Sequence, residues 1–306
     1  MINRPEISSR ERKYAYLILT VSSLFLALNH IITRGVHAHV PPLGLSFWRW
    51  FVAAIVLLPV VLVDIRTTLI VYREHWREFL LLGAFLVGAS SLVMVALNFT
   101  TATNVVMINA TQPILTVLFS WLFYGVRLKV VQILGILASF LGVLTIICQG
   151  SWQILAQLKL NGGDLIAMGS MLGFAAYSVR YVRLAHGLST SRAFFPILVG
   201  GCALLLPFYI GESTLARPVP ISPISIGAIL SIALLASLLS MLMWNAGMRI
   251  VGANKASIFI NLVPVFGAML AVTLLGEKFA LFHLLGMILI GIGLWLVVGS
   301  PSTQSR

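Results

Sequence analysis

Apolar and polar positions alternate in long blocks along this chain. Ten stretches dominated by Leu, Ile, Val, Ala and Phe, at 14–34, 44–63, 78–98, 103–123, 129–148, 163–183, 193–211, 224–246, 253–275 and 280–299, are separated by short segments that hold most of the charges. A helix needs ~20 mainly apolar residues to cross the hydrocarbon core of a bilayer. Each stretch therefore predicts one membrane-spanning helix. Pro41-Pro42 and Arg217 to Pro223, which holds three prolines, mark turns, because proline drives the residue before it out of the helical region. The longest connection, Asp64 to Arg77, predicts a brief amphipathic or surface segment with Trp76 at the interface. The run from Tyr14 to Ile32, behind Arg10, Glu11, Arg12 and Lys13, is too long for the apolar part of a cleaved leader and predicts a first spanning helix.

Two of the stretches are broken and punctuated in the same register. Ile108-Asn109 leads through Pro113 to Gly125, Gly135 and Gly142, and Ile260-Asn261 leads through Pro264 to Gly276, Gly286 and Gly293. The gaps from Pro onward are twelve, ten and seven residues in both copies, the mark of an internal repeat. The repeat predicts two units, 14–148 and 163–299, of five helices each. An odd number of spans per unit makes the second unit enter from the opposite face, so the repeat is inverted, as in many transporters whose site lies where the repeats meet.

Composition explains the solvent. The chain is 59% hydrophobic and 9% charged, with a mean hydropathy of +1.03, far more apolar side chain than one globular core buries. A net charge of +12 points away from nucleic acid and toward membrane topology, because the Lys and Arg fall in short clusters between apolar runs. With the N-terminus inside, fifteen of the twenty basic residues lie in inside segments and four outside, with Arg49 within a span. Both termini are thus predicted to be cytoplasmic. Cys148 and Cys202 sit in apolar runs and read as small buried hydrophobes.

Polar positions within the spans are the candidates for chemistry. Asn109, Gln112, Thr116 and Ser120 share one helical face, as do Asn254, Ser257 and Asn261 ahead of Pro264. Such faces must look inward, since unpaired polar groups against acyl chains are costly. They serve either as glue between helices or as the lining of a cavity. The breaks at Pro113 and Pro264 favour a cavity, because they free backbone carbonyls that need partners. Met94 and Asn98 in the third span, and Trp244 and Asn245 in the eighth, offer apolar walls with a few polar points, as small-molecule pockets do. Arg49 either binds a solute carboxylate or reaches back to the interface. Asn29 and His30 lie near the outer end of the first span, where His30 is a protonatable gate or a structural histidine. His37 and His39 read as incidental loop residues rather than a metal site, and no cofactor motif appears.

The paired motif resembles the EamA-type branch of the drug/metabolite transporter superfamily: a helix-breaking Pro264, then Gly276, Glu277 and Lys278 at a tight turn, then Gly286 and Gly293. Asn29, Arg49 and Ala175 with Tyr177 extend the likeness over residues 14 to 299. Val126 in place of the first-copy Glu, and Leu26 in place of the family's first-span Trp, depart from it. The resemblance implies ten helices around a central cavity lined by helices 1, 3, 4, 6, 8 and 9, Tyr177 included, and export or exchange of small organic solutes.

The fold expected is thus all-α and integral to the membrane: ten transmembrane helices as two inverted five-helix repeats. The function expected is an alternating-access carrier for small metabolites, amino-acid-like or otherwise amphipathic, in a bacterial inner membrane, working as a monomer or weak homodimer. None of the eight acids lies near the centre of a span, which predicts a facilitator or exchanger driven by the solute gradient. The alternatives are a permease for bulkier nucleotide-like or lipid-like cargo, and a membrane receptor or enzyme.

Overall fold

The computed structural model describes residues 8–36, 40–156, 161–184, 187–275 and 278–300. Gly276 and Glu277 of the turn motif, His37, His39 and Lys159 lie outside the described residues. Among those described, the chain is helical and has no strand. α1 (Ser9–Val36) and α2 (Pro42–Leu62) precede a long rod made of α3 (Ile65–Gly83), a π-helical stretch (Ala84–Gly88) and α4 (Ala89–Ala96). α5 (Ala102–Asn109) and α6 (Gln112–Tyr124) follow, then α7 (Val130–Ile147), the short α8 (Trp152–Ala156), α9 (Gly162–Tyr181) and α10 (Thr190–Leu215). A second rod joins α11 (Pro223–Ser231), a π-helical stretch (Ile232–Leu239) and α12 (Ser240–Val251). α13 (Ala253–Ser257), a 3-10 turn (Ile258–Asn261), α14 (Leu262–Leu275) and α15 (Leu281–Gly299) complete the fold.

Nine helical segments among the described residues are long and apolar enough to cross a membrane. α9 has the length, with 20 residues, but its Gly and Ser positions, Asp164 and Arg180 dilute its apolar character. Leu58, Leu134, Leu141, Phe208, Leu285, Ile292 and Trp295 are exposed along these segments, which is where acyl chains take the place of water. The protein is therefore a multi-pass membrane protein. One boundary differs from the sequence pattern. The helix from Ile65 to Ala96 is kinked by non-helical dihedrals at His75 (φ −117°, ψ 21°), so the predicted amphipathic segment is itself helical and set off from the span that follows.

Small residues set the closest approach of helices. α7 and α15 run antiparallel and touch backbone to backbone at two glycine pairs, Gly135 with Gly293 and Gly142 with Gly286. A Cβ on Gly142 would lie 2.7 Å from the Gly286 carbonyl oxygen, and one on Gly286 would lie 2.7 Å from the Gly142 oxygen. Only glycine fits there. Serines bind other crossings: Ser22 on α1 and Ser240 on α12 exchange hydrogen bonds of 2.9–3.0 Å, and Ser170 on α9 donates to the Ala89 carbonyl at 2.7 Å.

The two ends of the bundle are tied differently. At one end the Glu212 carboxylate accepts from the backbone N–H groups of Leu43 (3.1 Å) and Gly44 (2.7 Å), capping α2, whose own preceding residue is the side-chain-poor Pro41. Asp164 there accepts from Thr100, Asn104 and the Asn161 backbone. At the other end Arg192 pairs with Asp64 at 2.8 Å, Lys255 donates to the Ser300 carbonyl at 2.5 Å, and the Arg183 guanidinium lies 3.7 Å above the Tyr124 ring.

Candidate functional site

The two proline-containing spans are broken next to each other. Pro113 has no N–H for the Asn109 carbonyl, and the chain tightens instead: Thr111 N–H bonds Ile108 O at 3.0 Å, and the Thr111 hydroxyl bonds the same oxygen at 2.6 Å. In the second copy the 3-10 turn Ile258–Asn261 precedes Pro264, and Ser23 from α1 donates to the Phe259 carbonyl at 2.8 Å. The first break is thus closed locally by Thr111, and the second is held by a group from another helix.

Between the breaks lies a cavity of about 30 Å³, lined by His30, Asn109, Val143, Asn261 and Pro264 among others. That volume suits one or two water-sized groups. Asn261 is 1% exposed, and its Nδ2 donates to Ser139 Oγ at 2.9 Å, which fixes the amide. The other end of that amide, Oδ1, and the Oδ1 of Asn109 have no hydrogen-bond partner among the described residues. Leaving a buried polar atom unpaired costs roughly 1–3 kcal/mol, so two at one small cavity mark a place built to hold a polar group.

The remaining predicted residues distribute around this point. Gln112 is buried beside Pro113, on the α6 side of the first break. Further along the two polar faces, Ser120 donates to Asn254 Oδ1 at 2.6 Å, so this part of both faces is glue between helices. Asn29 is half-buried one residue before His30 and accepts from Thr33 at 3.4 Å. Tyr177 donates to Asn245 Oδ1 at 3.0 Å, and both are buried with Trp244 in the largest apolar cluster. Met94 packs in a separate cluster with Val40, Leu45, Ile232 and Ala236, and Asn98 is exposed in the turn after α4. The structure thus gathers Asn109, Asn261 and Pro264 at one point and Tyr177, Trp244 and Asn245 at another.

Arg49 is 5% exposed, which removes the option of reaching back to the interface. Its guanidinium carbon lies 4.9 Å from the Trp50 ring centroid, and His30 lies near enough for their charges to interact. Ser139 and Ser23, which support the second break, gave no signal in the sequence, because a single serine in an apolar helix has no periodicity. Among the described residues no three His, Cys, Asp or Glu side chains gather at metal-binding distance.

Comparison with known proteins places this architecture. The chain matches the EamA-like transporter family over residues 13–148 and again over 161–299. The chain belongs to the EamA-like transporter family. Among curated relatives, the uncharacterized transporter YyaM of Bacillus subtilis (strain 168) is 29% identical over 93% of this chain and 93% of its own length. An uncharacterized transporter of Archaeoglobus fulgidus is 24% identical over 92% of this chain and 96% of its own. A protein of known crystal structure superposes with a TM-score of 0.76 at 20% identity, covering 94% of this chain and 97% of that one, which shows the shared fold. In this EamA-like chain the sites just described lie within the two matched stretches.

Proposed function

We propose that this protein is a carrier that exports or exchanges small organic metabolites, amino-acid-like or similarly amphipathic, across a bacterial inner membrane by alternating access. The observation that carries the reading is the cavity at the paired helix breaks, lined by Asn109 and Asn261, each of which holds a buried oxygen with no hydrogen-bond partner among the described residues. Ten spans, α9 included, form two inverted units at 14–148 and 163–299, with both termini cytoplasmic. Several features support that arrangement: the double family match, the antiparallel α7–α15 contact in which Gly135 meets Gly293 and Gly142 meets Gly286, and the π stretches in matching spans. Contacts related by exchange of the units also recur, α1 with α12 and α4 with α9, as an isologous relation requires.

The end bearing Glu212 and Pro42 is the outer one in this reading. α13 and the 3-10 turn are almost wholly buried, whereas along α14 Val263 alone is buried among the described side chains. This supports a state closed on the cytoplasmic side, with Ser120–Asn254 and Arg183–Tyr124 among the contacts that must part when the carrier turns inward. Six of the acids are described and none lines the cavity; most are held in caps or ion pairs. The carrier therefore runs on the solute gradient.

Counterflow in proteoliposomes tests the reading. Purified protein should accelerate uptake of a labelled metabolite against preloaded unlabelled solute, without an imposed pH gradient. Flux that demands a pH gradient and ignores trans solute would overturn the exchanger, and no flux across a broad metabolite panel would overturn the carrier.

A further inference from the structure

Arg49 is a buried cation for which no described residue supplies a counter-charge. It sits two turns into α2, donates no hydrogen bond to any described group, and leaves Nε enclosed and unpaired. The acids that could neutralise it are occupied or remote among the described residues. Asp64 pairs with Arg192 and Glu78 with Arg180. Asp164 holds Thr100, Asn104 and Asn161, Glu212 caps α2, Glu11 closes on Ser8, and Glu74 is exposed on α3.

A buried, unpaired charge is among the costliest features a fold can keep. It persists where a mobile partner completes it. Arg is suited to that partner being an oxyanion, since its planar fork matches a carboxylate with two parallel hydrogen bonds. Trp50 on one side gives the guanidinium an aromatic face and fixes its plane. His30 links the two places, because it lines the cavity at Asn109 and Asn261 and lies near enough to Arg49 for their charges to interact.

We propose that Arg49 is an anion-binding residue, and that the protein's cargo carries an oxyanion, a carboxylate in the simplest case, which Arg49 holds while the rest of the molecule reaches the Asn109–Asn261 cavity. This rests on the carrier reading for the word cargo, but not for the binding itself. A carrier of neutral solutes keeps counterflow and lacks this binding. An anion that binds without crossing keeps this proposal and removes the carrier.

The test is thermal unfolding of the full chain in phosphatidylcholine nanodiscs at matched ionic strength, with acetate, benzoate, succinate and inorganic phosphate, and with acetamide, benzamide and succinamide as the uncharged partners of the carboxylates. At least one anion should raise the midpoint over its neutral partner, by roughly 5 °C if it reaches about a hundred times its Kd. The shift should vanish in Arg49→Gln and survive in part in Arg49→Lys. Without ligand, Arg49→Gln should unfold at or above the wild-type midpoint, because the unpaired charge is gone. The proposal is overturned if no anion shifts the wild type, if the shift persists in Arg49→Gln, or if unliganded Arg49→Gln is clearly less stable. A stabilisation that depends on Arg49 but comes only with phosphatidylglycerol in the nanodisc makes the partner a lipid headgroup and overturns the cargo assignment.

Discussion

Gly293→Ala and Gly291→Ala lie two positions apart in α15 and should move stability in opposite senses. A Cβ on Gly293 would lie 2.7 Å from Ser139 Cβ and 2.8 Å from Ser139 N, and nearer still to the Gly135 carbonyl oxygen. Ordinary carbon contacts need ~3.5–4.0 Å, so α7 and α15 must separate by about 1 Å. Overfilling of that kind costs roughly 1–3 kcal/mol. At Gly291 nothing lies within 4 Å, so the added methyl meets open space. The gain in helix propensity, about 1 kcal/mol for Gly→Ala, applies to both variants and cancels in their difference. Gly293→Ala should therefore unfold roughly 2–6 °C below Gly291→Ala, using about 2 °C per kcal/mol for a chain of this size. Cys148 and Cys202 are free and buried, so a thiol-reactive fluorogenic dye reports the unfolding directly. Equal midpoints, or a more stable Gly293→Ala, would refute the backbone contact between these helices.

Other substitutions probe other joints. Glu212→Ala removes the cap on α2 and should cost about 1–2 kcal/mol in the same assay; an unchanged midpoint would mean that water caps the helix equally well. Tyr177→Phe leaves the buried Asn245 Oδ1 without its donor and should cost roughly 1–3 kcal/mol, most of it recovered when Asn245→Leu is added; two losses that simply add would remove the coupling. Asn261→Leu should fold and insert normally yet reduce counterflow at least tenfold, since it deletes the amide that Ser139 orients toward the cavity; full flux would move the site off the helix break.

The membrane made the helices legible. In lipid a span must satisfy its backbone internally, so an apolar block of the right length leaves one solution. The proline spacing showed where spans break, because Pro113 withholds a donor from the backbone itself; the glycine spacing marked the repeat, and only the structure shows that Gly142 withholds a Cβ where two spans touch. Partners were harder to read. Nothing in the order of residues says that Glu212 caps a helix some 170 positions earlier, or that Ser139 aims the Asn261 amide. The π stretches Ala84–Gly88 and Ile232–Leu239 carry no proline to mark them. Trp244 illustrates a deeper ambiguity, since a large aromatic in a polar-dotted span serves a core as well as a cavity, and here it packs with Tyr177 in the main cluster. Arg49 was ambiguous for a different reason: its distance from the helix end permits both burial and escape, and packing decides.

The central claim is that both faces of the membrane gain access in turn to the cavity between the two helix breaks. Its most direct test is labelling of Asn109→Cys, in a chain whose Cys148 and Cys202 are replaced by Ala, with a membrane-impermeant maleimide in right-side-out and in inverted vesicles. Labelling is expected from each face, slowed from both when a transported solute saturates the site. Labelling from one face alone, or from neither while counterflow persists, would contradict it.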